Sequence, residues 1–130
     1  GVPQNDKTAV KWYTLSAEQG NADAQYGLGN RYRLGKGVPQ NDKTAVRWFK
    51  LAAEQGYANA QFNLGVMYDK EHGVVQDYVR AHMWWNIAAS QGDRNATKNR
   101  DKVAKMMTPS QLEKAQDLAR ECVKKNYKGC

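Results

Sequence analysis

Few side chains in this 130-residue chain could do chemistry: Cys122 and Cys130, His72 and His82, and Ser16, Ser90 and Ser110. A serine activated by lysine in a Ser-x-x-Lys arrangement needs the amine three residues on, but the residues there are Gln19, Asp93 and Glu113. Neither histidine has a second ligand at helical spacing and no His-Glu-x-x-His occurs, so no metal site is expected. Glycines fall at turns rather than in a phosphate-cradling loop after a strand, and no cofactor is expected. Asn95-Ala96-Thr97 fits a glycosylation sequon, a short and common pattern that carries little weight. The expectation is a chain with no catalytic residues.

The two cysteines are eight positions apart. In an unbroken helix they would stand about 12 Å apart at 1.5 Å per residue. A disulfide tolerates a Cα separation of roughly 4.4 to 6.8 Å. A bridge therefore requires the helix to end near Asn126 and Tyr127-Lys128-Gly129-Cys130 to fold back; otherwise Cys122 is a small core residue and both thiols are free.

The elements that must position these residues are set by a repeat. GVPQNDKTAVKWYTLSAEQG at Gly1 returns almost unchanged as GVPQNDKTAVRWFKLAAEQG at Gly37 and loosely as GVVQDYVRAHMWWNIAASQG at Gly73, a period of 36 residues. A fixed period of this size marks an array in which each unit buries its apolar face only against neighbours. The expected organisation is one domain over 1–130. Residues 1–20 form a partial unit, 21–56 and 57–92 two full units, and 93–130 degenerate terminal helices.

Asn5, Asn41 and Asp77 stand at one repeat position, each before a helical apolar pattern, and are read as N-caps. The helices that follow, termed B, stop at Gly20, Gly56 and Gly92. The second helix of each unit, termed A, carries Ala24, Leu28 and Tyr32, then Ala60, Leu64 and Tyr68, on one face. Gly29 and Gly65 each cost about 1 kcal/mol in a helix interior, so their recurrence predicts close approach of a neighbouring helix. Trp84 and Trp85 align with Trp48 and Phe49, on the stripe that packs between units, and are assigned to the core; the in-step row Trp12, Trp48 and Trp84 is read as docking hairpin upon hairpin. Glu71 replaces Gly35, which predicts a differently bent loop. A terminal helix is expected over about 94–106 and another from Thr108-Pro109-Ser110-Gln111, a capping box with proline in the first turn. The first B helix has no preceding A helix, so Trp12, Tyr13 and Leu15 are expected to be partly exposed or covered by upstream sequence or a second copy of the chain.

A net charge of +7 favours acidic partners but says nothing of fold. Lys102, Lys105, Lys114, Lys124, Lys125 and Lys128 crowd the C-terminal part with only Tyr127 as an adjacent aromatic, and nucleic acid is not the expected partner. No apolar run approaches the roughly 20 residues of a membrane span. The chain opens inside a repeat, at Gly1-Val2-Pro3, which suggests that further sequence precedes it.

The run Ala22, Ala24, Gln25, Tyr26, Leu28, Gly29, Tyr32, Gly35, Gly37, Ala45, Trp48, Ala52, Ala53, Gly56, repeated from Ala58 to Gly73, resembles the Sel1-like repeat, a relative of the tetratricopeptide repeat. Gly27, Glu71 and the eroded unit after Asp93 depart from it. The resemblance implies an all-α solenoid of antiparallel helix pairs, about seven helices, with a concave face lined mainly by A helices that holds a protein or peptide. Cysteine-rich secreted members staple helices through cysteines with seven intervening residues, which implies a Cys122–Cys130 bridge and a bacterial periplasmic or extracellular location. Some of those relatives have been described as β-lactamase-like or penicillin-binding, which is the alternative function.

Candidate partner contacts are the polar A-helix positions that differ between units while packing positions match: Asp23, Asn30, Arg31 and Arg33, against Asn59, Val66, Met67 and Asp69.

Overall fold

The computed structural model describes residues 5–130, so the expected loop at Gly1-Val2-Pro3 lies outside the described residues. Those residues form seven helices: α1 (Asp6–Glu18), α2 (Ala22–Leu34), α3 (Asp42–Ala53), α4 (Ala58–Lys70), α5 (Tyr78–Ser90), α6 (Arg94–Ala104) and α7 (Pro109–Lys124). Consecutive helices pack on one another from α1 to α6, and α7 packs on α5. The result is an all-α solenoid in which α2, α4 and α6 are the A helices and α1, α3 and α5 the B helices.

Every helix start except that of α4, where Tyr57 makes no side-chain cap bond, follows from a side-chain cap. The Asn5, Asn41 and Asp77 carboxamide or carboxylate oxygens accept from main-chain N–H groups two or three residues on, satisfying donors the helix leaves unpaired. Thr108 and Gln111 close a reciprocal capping box ahead of α7, with Pro109 in the first turn.

Packing within each unit turns on one aromatic per B helix. Phe49 and Trp85 lie flat against Gly29 and Gly65, the glycines of the preceding A helix; a Cβ on Gly29 would stand 2.6 Å from the Phe49 ring, and one on Gly65 would fall within the Trp85 indole. Tyr13, the corresponding residue of α1, lies instead over Gly27, which explains why the first unit departs from the repeat at that position. Helices α2 and α4 are also each tied to the B helix before them by a buried glutamine: the side-chain amide of Gln25 donates to the Ala17 carbonyl at 3.2 Å, and that of Gln61 to the Ala53 carbonyl at 3.1 Å. These bonds add a second donor to carbonyls at the C-terminal end of the B helix, which also accept from the Gly20 and Gly56 N–H groups of the turns that follow.

Two expectations are corrected. The loop after α4 is not bent differently from the loop after α2: Glu71 adopts φ 59, ψ 40, close to Gly35 at φ 69, ψ 36, so the repeat imposes a left-handed residue on a side chain that disfavours it. The three in-step tryptophans are not equally buried. Trp84 is 1% exposed, but Trp48, placed on the stripe that packs between units, is only half-buried against Ala17, Ala24 and Leu28, and Trp12, expected to be partly exposed, is 63% exposed, because each indole packs on the unit before its own and no described unit precedes α1.

The C-terminal segment seals the other end. Ile87 is buried whereas Leu15 and Leu51, its counterparts in register, are exposed; α7 packs mainly against α5. After Lys124 the left-handed Asn126 and Tyr127 reverse the chain, and Cys130 returns to form a disulfide with Cys122 at a Cα separation of 5.7 Å. Three contacts hold the tail over the B helices. Tyr127 rests on Gly56, the Gly129 N–H donates to the Glu54 carboxylate at 2.9 Å, and Arg80 donates to the Cys130 carbonyl at 3.0 Å.

Candidate binding groove

The A helices leave two clefts along one face. The first, of about 480 Å³, is bordered by Tyr13 of α1, by Asp23, Asn30, Arg31 and Arg33 of α2, by Lys36 of the following loop and by Asn63 of α4. The second, of about 920 Å³, lies between α4 and α6 and is bordered by Val66, Asp69, Tyr78, Trp85, Asn99, Lys102, Lys105 and Met106 among others. Helix α4 forms a wall of both.

Of the eight candidate contacts, six line a cleft: Asp23, Asn30, Arg31 and Arg33 the first, Val66 and Asp69 the second. Asn59 is exposed in the first turn of α4 but borders neither. Met67 is corrected outright. It is fully buried among α3 and α5 side chains, since the position that carries the solvent-tolerant Arg31 in one unit carries an apolar side chain in the next and closes the core.

The polar groups of the first cleft are unequally satisfied. Arg31 pairs with Asp6 at 2.7 Å and lies over the Tyr13 ring, 5.7 Å from its centroid. Asp23 accepts from the Tyr57 hydroxyl at 2.5 Å, which, with partial burial, pushes the phenol up to about 12. Tyr57 in turn stacks on Tyr26, ring centroids 5.3 Å apart. Asn30 Oδ1 accepts at 3.4 Å both from Arg33 Nη2 and from Asn63 Nδ2, each near the long limit of a hydrogen bond. Arg33 Nε is buried and donates to no group among the described residues. An orphaned buried donor costs about 1–3 kcal/mol, and the rest of the Arg33 side chain, which borders the cleft, is only part-buried.

The second cleft has an apolar floor of Val66, Val103 and the Trp85 edge, with Tyr78 and Met106 at the rim, and charges of both signs around it. Its donors and acceptors suit a side chain of mixed character rather than a single ion.

Sequence reasoning missed Asn63, Asn99, Lys102 and Lys105. The signal was present: Asn63 and Asn99 stand in register with Gly27, Lys102 with Asn30 and Val66, and Lys105 with Arg33 and Asp69. Carrying the register one unit further, into the helix set aside as degenerate, finds Asn99, Lys102 and Lys105, and Asn63 stands out as the departure from Gly27 within the full unit.

His82 is buried between α5 and α6, its pKa lowered by desolvation and then by Arg100; His72 sits exposed in the loop after α4. Among the described residues no group of three or more His, Cys, Asp or Glu could hold a metal ion, and no helix is long and apolar enough to cross a membrane.

The Sel1 repeat profile matches residues 1–21, 22–57 and 58–93. Among solved structures, the Escherichia coli protein c5321, a protective antigen of uropathogenic strains with an SLR fold, superposes with a TM-score of 0.88 at 35% identity, over 93% of this chain and 27% of that one. A Sel1 repeat protein from Oxalobacter formigenes superposes with a TM-score of 0.73 at 38% identity, over 77% of this chain and 41% of that one. The chain thus spans well under two thirds of either neighbour. No curated protein matches it significantly. The matched repeats cover most of the chain in register with its helix pairs, and it belongs to the Sel1 repeat family.

Proposed function

We propose that this chain is a non-enzymatic scaffold whose A-helix groove binds an extended segment of a protein partner. One observation carries the reading: six of the side chains that vary between otherwise matching units border the two clefts of one face. Positions that repeat serve packing, capping or turning, so recognition falls to those that do not. The Cys122–Cys130 bridge supports an oxidising compartment, the bacterial periplasm or the cell exterior, as the place where the scaffold works. The c5321 antigen and the Oxalobacter protein share the scaffold, which fits a general interaction role.

The test is selection of dodecapeptides on the immobilised chain, followed by affinity measurement on Val66→Asp and Asn63→Asp in the groove and Lys114→Glu on α7. Loss of binding in the groove variants alone is the expected outcome. Equal loss in the α7 variant, or indifference to both groove substitutions, would overturn the reading. A β-lactamase-like activity predicts hydrolysis of a chromogenic β-lactam by the pure chain, and the groove reading predicts none.

A further inference from the structure

Resting on the groove reading, we propose that its α1–α2 end is a subsite for a carboxylate side chain, an aspartate or glutamate of the bound segment. Within that cleft Asp23 is engaged by Tyr57 and Arg31 by Asp6. Arg33 and Lys36 have no carboxylate within 4.0 Å among the described residues. Arg33 Nε is buried without an acceptor, and its Nη2 reaches only a neutral amide oxygen at 3.4 Å. A planar guanidinium takes a carboxylate through two parallel hydrogen bonds, shorter and about twice as strong as bonds to a neutral acceptor. Lys36 adds a second positive charge from the rim, and Asn63 Nδ2, shared weakly with Asn30, is a third donor at the same place.

The same two cations would attract a phosphate, but the aromatic surroundings argue against nucleic acid. Tyr26 is stacked on Tyr57 and the Tyr13 ring is covered by Arg31, so neither ring offers an open face for a base. The net charge of +7 steers an acidic segment toward the chain from a distance.

The experiment measures fluorescence anisotropy of four labelled probes on the intact, oxidised chain at two salt concentrations. They are a C-terminally amidated dodecapeptide with Glu at every third position among Ala, Leu and Ser, its Gln counterpart, the Gln counterpart with a free C-terminal carboxylate, and a twelve-nucleotide oligothymidine. The acidic peptide is expected to bind at least about tenfold more tightly than its Gln counterpart, with binding weakened by salt. Arg33→Gln and the exposed-site variant Lys36→Gln should each remove most of that preference, while Lys114→Gln should not.

Equal binding of the Glu and Gln peptides, both lost in Val66→Asp, would sink the carboxylate subsite and leave the groove reading standing. Tightest binding by the oligonucleotide, or binding that requires only the terminal carboxylate, would overturn the proposal in favour of that ligand. Binding of no probe counts against the subsite, whereas the peptide selection above judges the groove independently.

Discussion

The Trp85 indole donates through Nε1 to the main-chain carbonyl of Phe62 at 3.0 Å, a bond that crosses from α5 to α4. It exists because Gly65 presents no Cβ where the indole lies. One side chain thereby packs the third B helix against the second full A helix and occupies a carbonyl of that helix.

Gly65→Ala sets two effects against each other. Helix propensity favours alanine by about 1 kcal/mol, but the new methyl would overlap a buried ring that cannot yield without losing its hydrogen bond. Overpacking of this kind costs about 1–3 kcal/mol, and the close overlap with the indole puts it toward the upper end, so the expected net result after the propensity gain is destabilisation of about 1–2 kcal/mol. Urea unfolding reads it; a variant as stable as the parent would show that Trp85 can move aside cheaply.

Glu71→Gly should stabilise the chain. A non-glycine residue in the left-handed region costs about 1–2 kcal/mol, and glycine's larger unfolded-state entropy returns part of that. A gain of about 0.5–1 kcal/mol is expected, and Gly35→Glu should lose a similar amount. Thermal melts of both variants check the pair, and opposite signs are the required outcome.

Reduction of Cys122–Cys130 should cost about 2–3 kcal/mol by the loop-closure model for so short a loop. It should also free the tail from Glu54 and Arg80 and admit water to Trp84, which the tail helps to cover. Tryptophan emission and urea midpoints, with and without reductant and in Cys130→Ala, provide the comparison. Identical midpoints would mean that the tail contacts suffice alone.

His82 makes stability depend on pH. Its ordinary value is 6.5, and in the folded chain burial first, then Arg100, lower it, with Asp101 opposing. The unfolded state therefore takes up more protons as pH falls, and stability present above about pH 6.5 is lost as the pH drops through the folded value. Nδ1 has no partner among the described residues, so His82→Phe forfeits no hydrogen bond there and should flatten the loss between pH 7 and pH 5. Midpoints of denaturation across that range, parent against variant, decide it; parallel slopes would assign the dependence to other groups.

What the amino-acid sequence by itself determined is whatever depends on spacing. A period of 36 residues, caps at Asn5, Asn41 and Asp77, and glycines recurring at 29 and 65 are local or translational properties, and they specify helix pairs stacked in order. The Cys122–Cys130 bridge could be posed from spacing but needed the chain reversal at Asn126 and Tyr127 to be realised. Beyond the exposure expected at Trp12 and Leu15, tertiary structure decided burial, because a side chain at one repeat position meets different neighbours in different units. Trp12, Trp48 and Trp84 share a register yet run from exposed to buried, Arg31 pairs with Asp6 at the surface while Met67 fills the core, and Lys102 and Lys105 reach the groove from a helix whose repeat pattern had faded. Burial is set by what lies opposite in space, and that differs from unit to unit even when the residues agree.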